Sequence, residues 1–294
     1  MIHYQYCPVC GSSSIQAALE ARDHTVSGSV FPVWHCSHCT ARFTQDVPEI
    51  DAIGPYYQSD SYISHSDTRE GLVNRLYHRI RSITLRSKRN MIHKASGKAA
   101  GHLLDIGCGT GTFLNEMKQA GWTVNGLEPD EGARERAAHL CGLDVQPSDK
   151  LFGMADSSFD VITLWHVLEH VHELEGYVKQ FKRLLKPGGL LVIAVPNYTS
   201  HDAAHYGSFW AAYDVPRHLY HFSPLSMQKL MEREGLQVTA MKPMWFDSFY
   251  VSMLSERYQH GKDRLIPAFL TGLMSNLGAV GKASKCSSVI YLIR

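Results

Sequence analysis

The stretch His102-Leu103-Leu104-Asp105-Ile106-Gly107-Cys108-Gly109-Thr110-Gly111 decides the fold. It predicts a short apolar strand that ends in a glycine loop, followed by a helix that begins near Phe113 and stops at Gly121. Because glycine has no Cβ, a loop of this kind lets the backbone approach a bound ligand closely. The sequence therefore predicts an α/β domain whose first strand leads directly into a ligand-binding loop.

The spacing of the loop glycines narrows the choice of ligand. They follow a Gly-x-Gly-x-Gly pattern, whereas dinucleotide-binding loops follow Gly-x-Gly-x-x-Gly and hold a pyrophosphate. The predicted second strand, 123–127, ends at Glu128, where a carboxylate can accept hydrogen bonds from both hydroxyls of a ribose. S-adenosylmethionine (SAM), a nucleoside cofactor without a phosphate chain, suits both features.

Five more apolar segments alternate with helical patterns, as in a mostly parallel sheet with helices between its strands. The first of them leads into a polar loop with Ser148, which would flank the adenine, and Trp165 directly follows the next. Lys186-Pro187-Gly188-Gly189 is typical of a helix end. The predicted strands are 143–145, 157–164, 190–195, 236–240 and 288–293.

These segments, in this order, resemble the motifs of class I SAM-dependent methyltransferases. The resemblance is carried by Leu104 to Gly111, Gly126-Leu127-Glu128-Pro129, Phe159-Asp160-Val161-Ile162, His166-Val167-Leu168-Glu169-His170 and Leu185-Lys186-Pro187-Gly188-Gly189. It implies a Rossmann-like, seven-stranded sheet with an antiparallel last strand and SAM at the carboxyl ends of the first, second and fourth strands. The cofactor contacts that we expect are Asp105, Gly107, Cys108, Gly109, Gly111, Phe113, Glu128, Pro129, Ser148, Trp165 and His166.

The acceptor of the methyl group is expected near two histidine-rich segments. One is 166–170, after the fourth strand, and the other is an insertion at about 198–223 that is dense in His, Arg and aromatic residues. Removal of a proton from a hydroxyl or an acidic carbon requires a base, and the candidates are His166, His218 and His221. The predicted acceptor contacts are Tyr62, Trp210, Arg217, His218 and Tyr220. Alternatively, His170 only fixes its loop, or Glu169 and His170 bind a divalent metal, as in some quinone O-methyltransferases.

Two Cys-x-x-Cys pairs near the N-terminus predict a metal site. Cys7 and Cys10 form one pair, and Cys36 and Cys39 form the other. Four thiolates provide the closed tetrahedral shell of a structural zinc ion, and the spacing resembles a zinc ribbon. So short a segment buries little apolar surface, so the metal would supply much of its folding free energy.

The sequence suggests three regions: a zinc ribbon at 1–50, a helical connector or lid at 51–98, and a SAM-binding domain at 99–294. The connector is predicted to form an amphipathic helix whose apolar stripe packs on the main domain. Its basic face is then either solvated or binds an anionic substrate. The stripe is Leu72, Leu76, Ile80 and Ile83, and the basic face is Arg75, Arg79, Arg81, Arg86, Lys88 and Arg89.

Charge and hydropathy limit the function further. The net charge is +1, which disfavours nucleic acid as a partner. We find neither an apolar run long enough for a membrane span nor a signal-peptide pattern, and we therefore expect a cytoplasmic protein. The segment 250–285 packs in the interior, forms a homodimer surface or receives an apolar acceptor.

The favoured function is methylation of a small-molecule acceptor at carbon or oxygen. The insertion also resembles one found in small-molecule methyltransferases with an N-terminal zinc ribbon, which act on sugars, sugar nucleotides or quinone-like intermediates. The chain is shorter than the sugar C-methyltransferases and lacks their long C-terminal domain, so their particular substrate does not carry over. A sugar or sugar nucleotide is nevertheless the leading acceptor class. The alternatives are an RNA methyltransferase that uses its zinc ribbon to bind RNA, and a SAM-binding protein without catalytic activity.

Overall fold

The structure is a computed structural model that describes residues 1–58 and 72–294, the side chains of 72–80 excepted. It contains two compact units. The first comprises Met1–Ser64, His166–Val178 and Ala194–Tyr291, and the second comprises His65–Trp165, Lys179–Ile193 and Leu292–Arg294. Tyr62, a predicted acceptor contact, lies outside the described residues.

Eleven strands are found in the described residues. They are β1 (Ile15–Arg22), β2 (Val30–Cys36), β3 (Arg42–Thr44), β4 (His102–Ile106), β5 (Thr123–Leu127), β6 (Val145–Gln146), β7 (Phe159–Trp165), β8 (Leu185–Pro196), β9 (Tyr220–His221), β10 (Val238–Pro243) and β11 (Ser288–Ile293).

The α-helices of the same residues are α1 (Leu72–Ser96), α2 (Thr112–Gln119), α3 (Glu131–Cys141), α4 (Leu174–Leu184), α5 (His201–Tyr206), α6 (Pro224–Arg233), α7 (Asp247–His260) and α8 (Leu265–Ala279). Short 3-10 helices lie at Gly54–Tyr57, Ser148–Gly153, Leu168–His170, Gly207–Phe209, Ala211–Tyr213 and Ala283–Lys285. None of the described helices is both long and apolar enough to cross a membrane.

Seven strands form one sheet in the order β10-β11-β8-β7-β4-β5-β6. Strand β4 lies near its middle and pairs in parallel with both β5 and β7. Leu103, Leu104 and Ile106 of β4 are buried, as expected of a strand covered on both faces. The seven-stranded α/β fold predicted from the sequence is confirmed.

Strands β7 and β10 differ from the predicted ranges by one to three residues at their ends, and β8 and β6 differ in ways that have a structural reason. Strand β8 begins at Leu185 instead of 190, so Lys186-Pro187-Gly188-Gly189 belongs to the strand and not to a helix end. Gly188 has a φ of 74°, so glycine accommodates an irregularity within the strand. Strand β6 contains only Val145–Gln146, shifted toward the polar loop because it pairs with the end of β5.

The Cys-rich segment lies in a second sheet with the order β1-β2-β3-β9. Its last strand comes from the predicted insertion, since Arg42 and Phe43 of β3 pair with His221 and Tyr220 of β9. Residues 1–50 therefore do not complete this sheet alone. The boundaries at 50 and 98 stay predictions.

Helix α1 can be compared with the predicted amphipathic pattern only at its described side chains. Ile83 of the apolar stripe is 53% exposed, and the side chains of Leu72, Leu76 and Ile80 lie outside the described residues. Arg81 donates to Thr112 Oγ1 at 2.7 Å and Arg89 donates to Glu116 at 2.7 Å. Two members of the predicted basic face thus have polar partners in the second unit, whereas Arg86 is exposed. A role of this face in binding an anionic substrate stays a prediction.

A buried carboxylate organises the interior of the first unit. Asp202 is fully buried and accepts hydrogen bonds from Trp210 Nε1 at 2.8 Å, Ser275 Oγ at 2.5 Å and Ser287 Oγ at 2.7 Å. These donors come from three separate segments of the chain. A buried carboxylate with three donors is satisfied, whereas its removal leaves each donor without an acceptor.

We expect Asp202→Ala to lower the free energy of unfolding by about 3 kcal/mol, since three buried donors lose their acceptor. Urea denaturation monitored by circular dichroism measures the change. Asp51→Ala serves as the control because Asp51 is exposed and its removal should change stability by less than about 0.5 kcal/mol. Equal stability of the two variants would contradict the assignment of Asp202 as a structural hub.

Candidate active site

The loop after β4 has the backbone that its glycines require. Gly107, Gly109 and Gly111 have φ values of 67°, 55° and 74°, in the left-handed region that favours glycine. The amides of Gly107 and Cys108 donate to Leu127 O at 2.7 and 3.0 Å. A Cβ on Gly111 would lie 2.7 Å from Leu143 Cδ1, so the loop also packs too closely for a larger residue.

Glu128 lies against this loop at the end of β5. One carboxylate oxygen accepts from the Gly109 amide at 2.8 Å and the other accepts from the Asp130 amide at 3.0 Å. Burial raises the pKa of Glu128, and the two backbone hydrogen bonds oppose that rise. The structure thus brings Glu128, the glycine loop and the adjoining Pro129 together, as predicted.

Other predicted cofactor contacts surround this loop within the second unit. Asp105 is buried and accepts from Thr163 Oγ1 at 2.6 Å, and burial raises its pKa to about 7. Phe113 makes an edge-to-face contact with Trp165 at 5.3 Å between ring centroids. Ser148 begins a 3-10 helix directly after β6, and the preceding Gln146 accepts from the Glu128 amide at 2.9 Å.

The residues present fit the chemistry of SAM. Glu128 offers two carboxylate oxygens suited to ribose hydroxyls, and the glycine loop leaves open space where side chains would otherwise stand, as beside Gly109. Trp165 Nε1 is buried and has no acceptor among the described residues. A buried donor without a partner is unfavourable unless a ligand supplies the acceptor.

His166 begins a second group of functional side chains, which belongs to the first unit. Its φ is 58°, a conformation that is strained for a non-glycine residue and is common at functional sites. The imidazole Nε2 lies 2.9 Å from Asp247 Oδ2 and Nδ1 lies 3.4 Å from Glu169 Oε1. Burial alone would lower the pKa of His166, but the Asp247 and Glu169 carboxylates raise it to about 10.

Glu169 is a buried carboxylate whose charge is stabilised by neighbouring histidines. It is fully buried, and neither of its oxygens has a hydrogen-bond partner among the described residues. Burial would raise its pKa, yet His166, His218 and His170 hold it below the ordinary value. Side-chain atoms of Glu169, His170 and His218 that could bind a metal lie within 4.8 Å of one another.

Two histidines of this group have an assigned tautomer. His170 Nδ1 lies 3.0 Å from Arg217 O and His218 Nδ1 lies 2.9 Å from Ala212 O. Because a carbonyl only accepts, each Nδ1 carries the hydrogen, and each Nε2 is left as an acceptor when the ring is neutral. Burial and His218 lower the pKa of His170 to about 4, so it is neutral at pH 7.

His221, the third predicted base, is placed differently. It is buried, with Nε2 3.0 Å from Thr44 Oγ1, and it packs edge-to-face on Tyr213. Thr44 Oγ1 donates its own hydrogen to His218 O, so it accepts from His221. Burial, His218 and Arg42 hold the pKa of His221 well below its ordinary value.

Three of the predicted acceptor contacts are buried among internal partners. Trp210 donates to Asp202, and the Tyr220 hydroxyl donates to His172 O at 3.2 Å. The Arg217 guanidinium bonds to Asp214, Tyr56 O and Asp23 at 3.0, 2.8 and 3.2 Å. Their polar groups are satisfied inside the first unit, and their contact with an acceptor stays a prediction.

The sequence analysis missed Asp247 and Asp23, which hold His166 and Arg217. Each lies far along the chain from its partner, and no local spacing connects the two. The two ion pairs are therefore visible only in the three-dimensional structure.

The four cysteines near the N-terminus converge as predicted. All four Sγ atoms lie within 4.8 Å of one another, with Cys7 Sγ 3.5 Å from Cys39 Sγ and Cys10 Sγ 3.6 Å from Cys36 Sγ. Sulfurs at roughly 2.3 Å from a tetrahedral zinc ion lie about 3.8 Å apart. The group therefore fits such an ion.

The raised pKa of His166 predicts a pH-dependent stability. The unfolded value is about 6.5, so its ion pairs contribute fully below that pH and are lost as the pH rises through about 10. We expect Asp247→Asn to be less stable than the natural chain by about 1 kcal/mol at pH 6.5. The difference should shrink toward pH 10.

Urea denaturation across this pH range measures the difference. Asp263→Asn is the matched control, because it breaks an exposed carboxylate–arginine pair in which neither group titrates between pH 6.5 and 10. The loss of unfolding free energy in Asp263→Asn should not change with pH. If the loss in Asp247→Asn were equally independent of pH, the assignment of His166 as an imidazolium would be contradicted.

Comparison with known proteins supports this interpretation. A family model described as a methyltransferase domain matches residues 76–241. A ubiquinone biosynthesis O-methyltransferase of Rhizobium leguminosarum bv. trifolii (strain WSM2304) is 27% identical over 175 residues, which cover 55% of this chain and 67% of that protein.

The chain is also similar to a second relative and to a solved structure. A protein of the same name from Sinorhizobium fredii (strain NBRC 101917 / NGR234) is 31% identical over 159 residues, 49% of this chain and 63% of that protein. The structure of a SAM-dependent methyltransferase from Archaeoglobus fulgidus is 18% identical, covers 72% of this chain and 93% of that chain, and has a TM-score of 0.49. The family model spans more than half of the chain, and the chain belongs to the class I SAM-dependent methyltransferases.

Proposed function

We propose that this chain transfers the methyl group of SAM to an oxygen or carbon atom of a small-molecule acceptor, with a histidine as the proton acceptor. The observation that carries this proposal is the group of histidines around the buried Glu169 carboxylate, in which His170 is neutral and the Nδ1 hydrogen of His218 is fixed on a backbone carbonyl. When bound, SAM supplies an electrophilic methyl group on a sulfonium. Glu128 and the glycine loop would hold its nucleoside and its amino acid end.

His218 suits the role of proton acceptor best among the three predicted bases. Its Nδ1–H is fixed on Ala212 O, which leaves Nε2 to accept a proton, with Asp214 Oδ2 4.0 Å away to stabilise the imidazolium formed. His166 is already protonated at neutral pH. His221 is enclosed by Thr44 and Tyr213.

The acceptor class follows from the relatives and from the charge of the chain. The two relatives described above are named as O-methyltransferases of ubiquinone biosynthesis, which favours an aromatic hydroxyl on a quinone-like intermediate. A sugar or sugar nucleotide is the second acceptor class. The net charge of +1 does not support RNA as the acceptor.

A divalent metal at Glu169, His170 and His218 is the alternative to a histidine base. These side chains offer one carboxylate and two imidazoles within 4.8 Å. A metal there would lower the pKa of a bound hydroxyl without a protein base. The two mechanisms differ in whether a chelator abolishes turnover.

We also propose that Cys7, Cys10, Cys36 and Cys39 bind a structural zinc ion. Their sulfur positions and the closed set of four thiolates support it. Since β3 of this segment pairs with β9, the ion would also stabilise the segment that carries His218 and His221.

Incubation with methyl-labelled SAM and fractionated cell extract tests the function. We expect label to enter apolar or sugar-like small molecules in the presence of EDTA, and His218→Asn to lower turnover at least about 100-fold. Thr239→Ala, a substitution in β10 outside the described histidine group, is the control and should retain turnover. Label in RNA or protein, no transfer at all, or full activity of His218→Asn would contradict the proposal.

For the zinc site, we expect one zinc per chain by elemental analysis and a loss of about half or more of that zinc in Cys36→Ser. Cys141→Ser is the matched control, because Cys141 lies on α3 outside the four-cysteine group. A natural chain that is purified without any bound transition metal, and that takes up none when zinc is added, would contradict a structural zinc site.

A further inference from the structure

The large apolar side chains of helix α8 point toward solvent, whereas its small side chains point toward the protein interior. Its buried residues are small: Ala268, Thr271, Gly272, Ser275 and Ala279. Its exposed residues are large and apolar: Leu265, Ile266, Phe269, Leu270, Met274 and Leu277. Ile266 is 76% exposed. Large apolar side chains normally face the core, and a contiguous exposed group of them marks an interaction surface.

The inner side of α8 explains why the large residues point outward. A Cβ on Gly272 would lie 3.1 Å from Phe249 Cα, so α7 and α8 pack too closely for anything larger. Three of the four buried residues of α7 are also small, namely Ser248, Ser252 and Ser255. Helices with small residues between them and large apolar residues outside are typical of pairs surrounded by lipid.

Charge at the ends of α8 indicates what covers this surface. The helix contains no Asp, Glu, Lys or Arg, but Lys262 and Arg264 precede it and Lys282 and Lys285 follow it. Asp263, the one acid among these flanks, is paired with Arg257 at 2.7 Å, and Arg264 lies 3.3 Å from the buried Glu256 of α7. The exposed cations that flank the helix are therefore Lys262, Lys282 and Lys285. An apolar helix with basic residues at both ends complements an anionic lipid surface.

A second copy of the chain fits this surface less well. In a two-fold pair, α8 would run parallel or antiparallel to its copy. Because exposed lysines flank the helix at both ends, cations would face cations in either arrangement.

We propose that the exposed face of α8 docks this protein on the surface of an anionic lipid bilayer. The helix has 15 residues and is thus about 22 Å long, short of the roughly 30 Å of a hydrocarbon core. It therefore lies in the interface with its apolar side among the acyl chains and its flanking lysines at the headgroups. This inference does not rest on the proposed acceptor or base.

Vesicle flotation with the full chain tests the proposal. We expect binding to phosphatidylcholine vesicles that contain about 30% phosphatidylserine, at least ten-fold weaker binding to phosphatidylcholine alone, and loss of binding in high salt. Ile266→Glu should reduce binding at least ten-fold. Lys282→Glu with Lys285→Glu should also weaken it.

Leu140→Glu is the matched control, because Leu140 is an exposed apolar residue on α3, and it should bind like the natural chain. Circular dichroism verifies that each variant is folded. Absence of binding to anionic vesicles, or equal loss in Leu140→Glu, would overturn the proposal. A concentration-dependent dimer in analytical ultracentrifugation that Ile266→Glu dissociates, without vesicle binding, would overturn it in favour of a homodimer surface.

Discussion

The parallel pairing of β4 with β5 is the constraint on which the cofactor region depends. It places Asp105 beside Gly126 and Ile106 beside Leu127, so the loop after one strand meets the carboxylate after the other. Gly126 permits this approach, because a Cβ there would lie 2.5 Å from Leu114 Cδ1 and 2.9 Å from Cys108 Sγ. The hydrogen bond from Gly109 to Glu128 follows from the pairing.

The buried Glu169 carboxylate is central to the charge states of the histidines around it in the first unit. Glu169 has no hydrogen-bond partner among the described residues, so nearby cationic charge must stabilise it. His166 supplies that charge and is itself held by Asp247. Burial and the nearby His218 keep the neighbouring His170 neutral. Acid and base roles are thus separated among neighbouring histidines.

Local signals in the sequence predicted much of the second unit. The glycine spacing and Glu128 gave the cofactor loop, and the Cys-x-x-Cys pairs gave the four converging sulfurs. Boundaries failed where pairing between strands overrides turn-forming residues, as at Gly188. The roles of Arg217 and Trp210 were harder to predict. Arg217 is paired with Asp23, which is far along the chain, and the hydrogen bond from Trp210 to Asp202, eight residues before it, follows from no local pattern.

We propose that the loop after β4 and Glu128 together bind SAM. Isothermal titration calorimetry of SAM with the natural chain, Glu128→Gln and Glu131→Gln tests it most directly, since Glu131 is an exposed acid three residues away on α3. We predict saturable binding of one SAM, weakened at least about ten-fold in Glu128→Gln and unchanged in Glu131→Gln. Equal affinity of all three proteins, or no binding by the natural chain, would contradict the account.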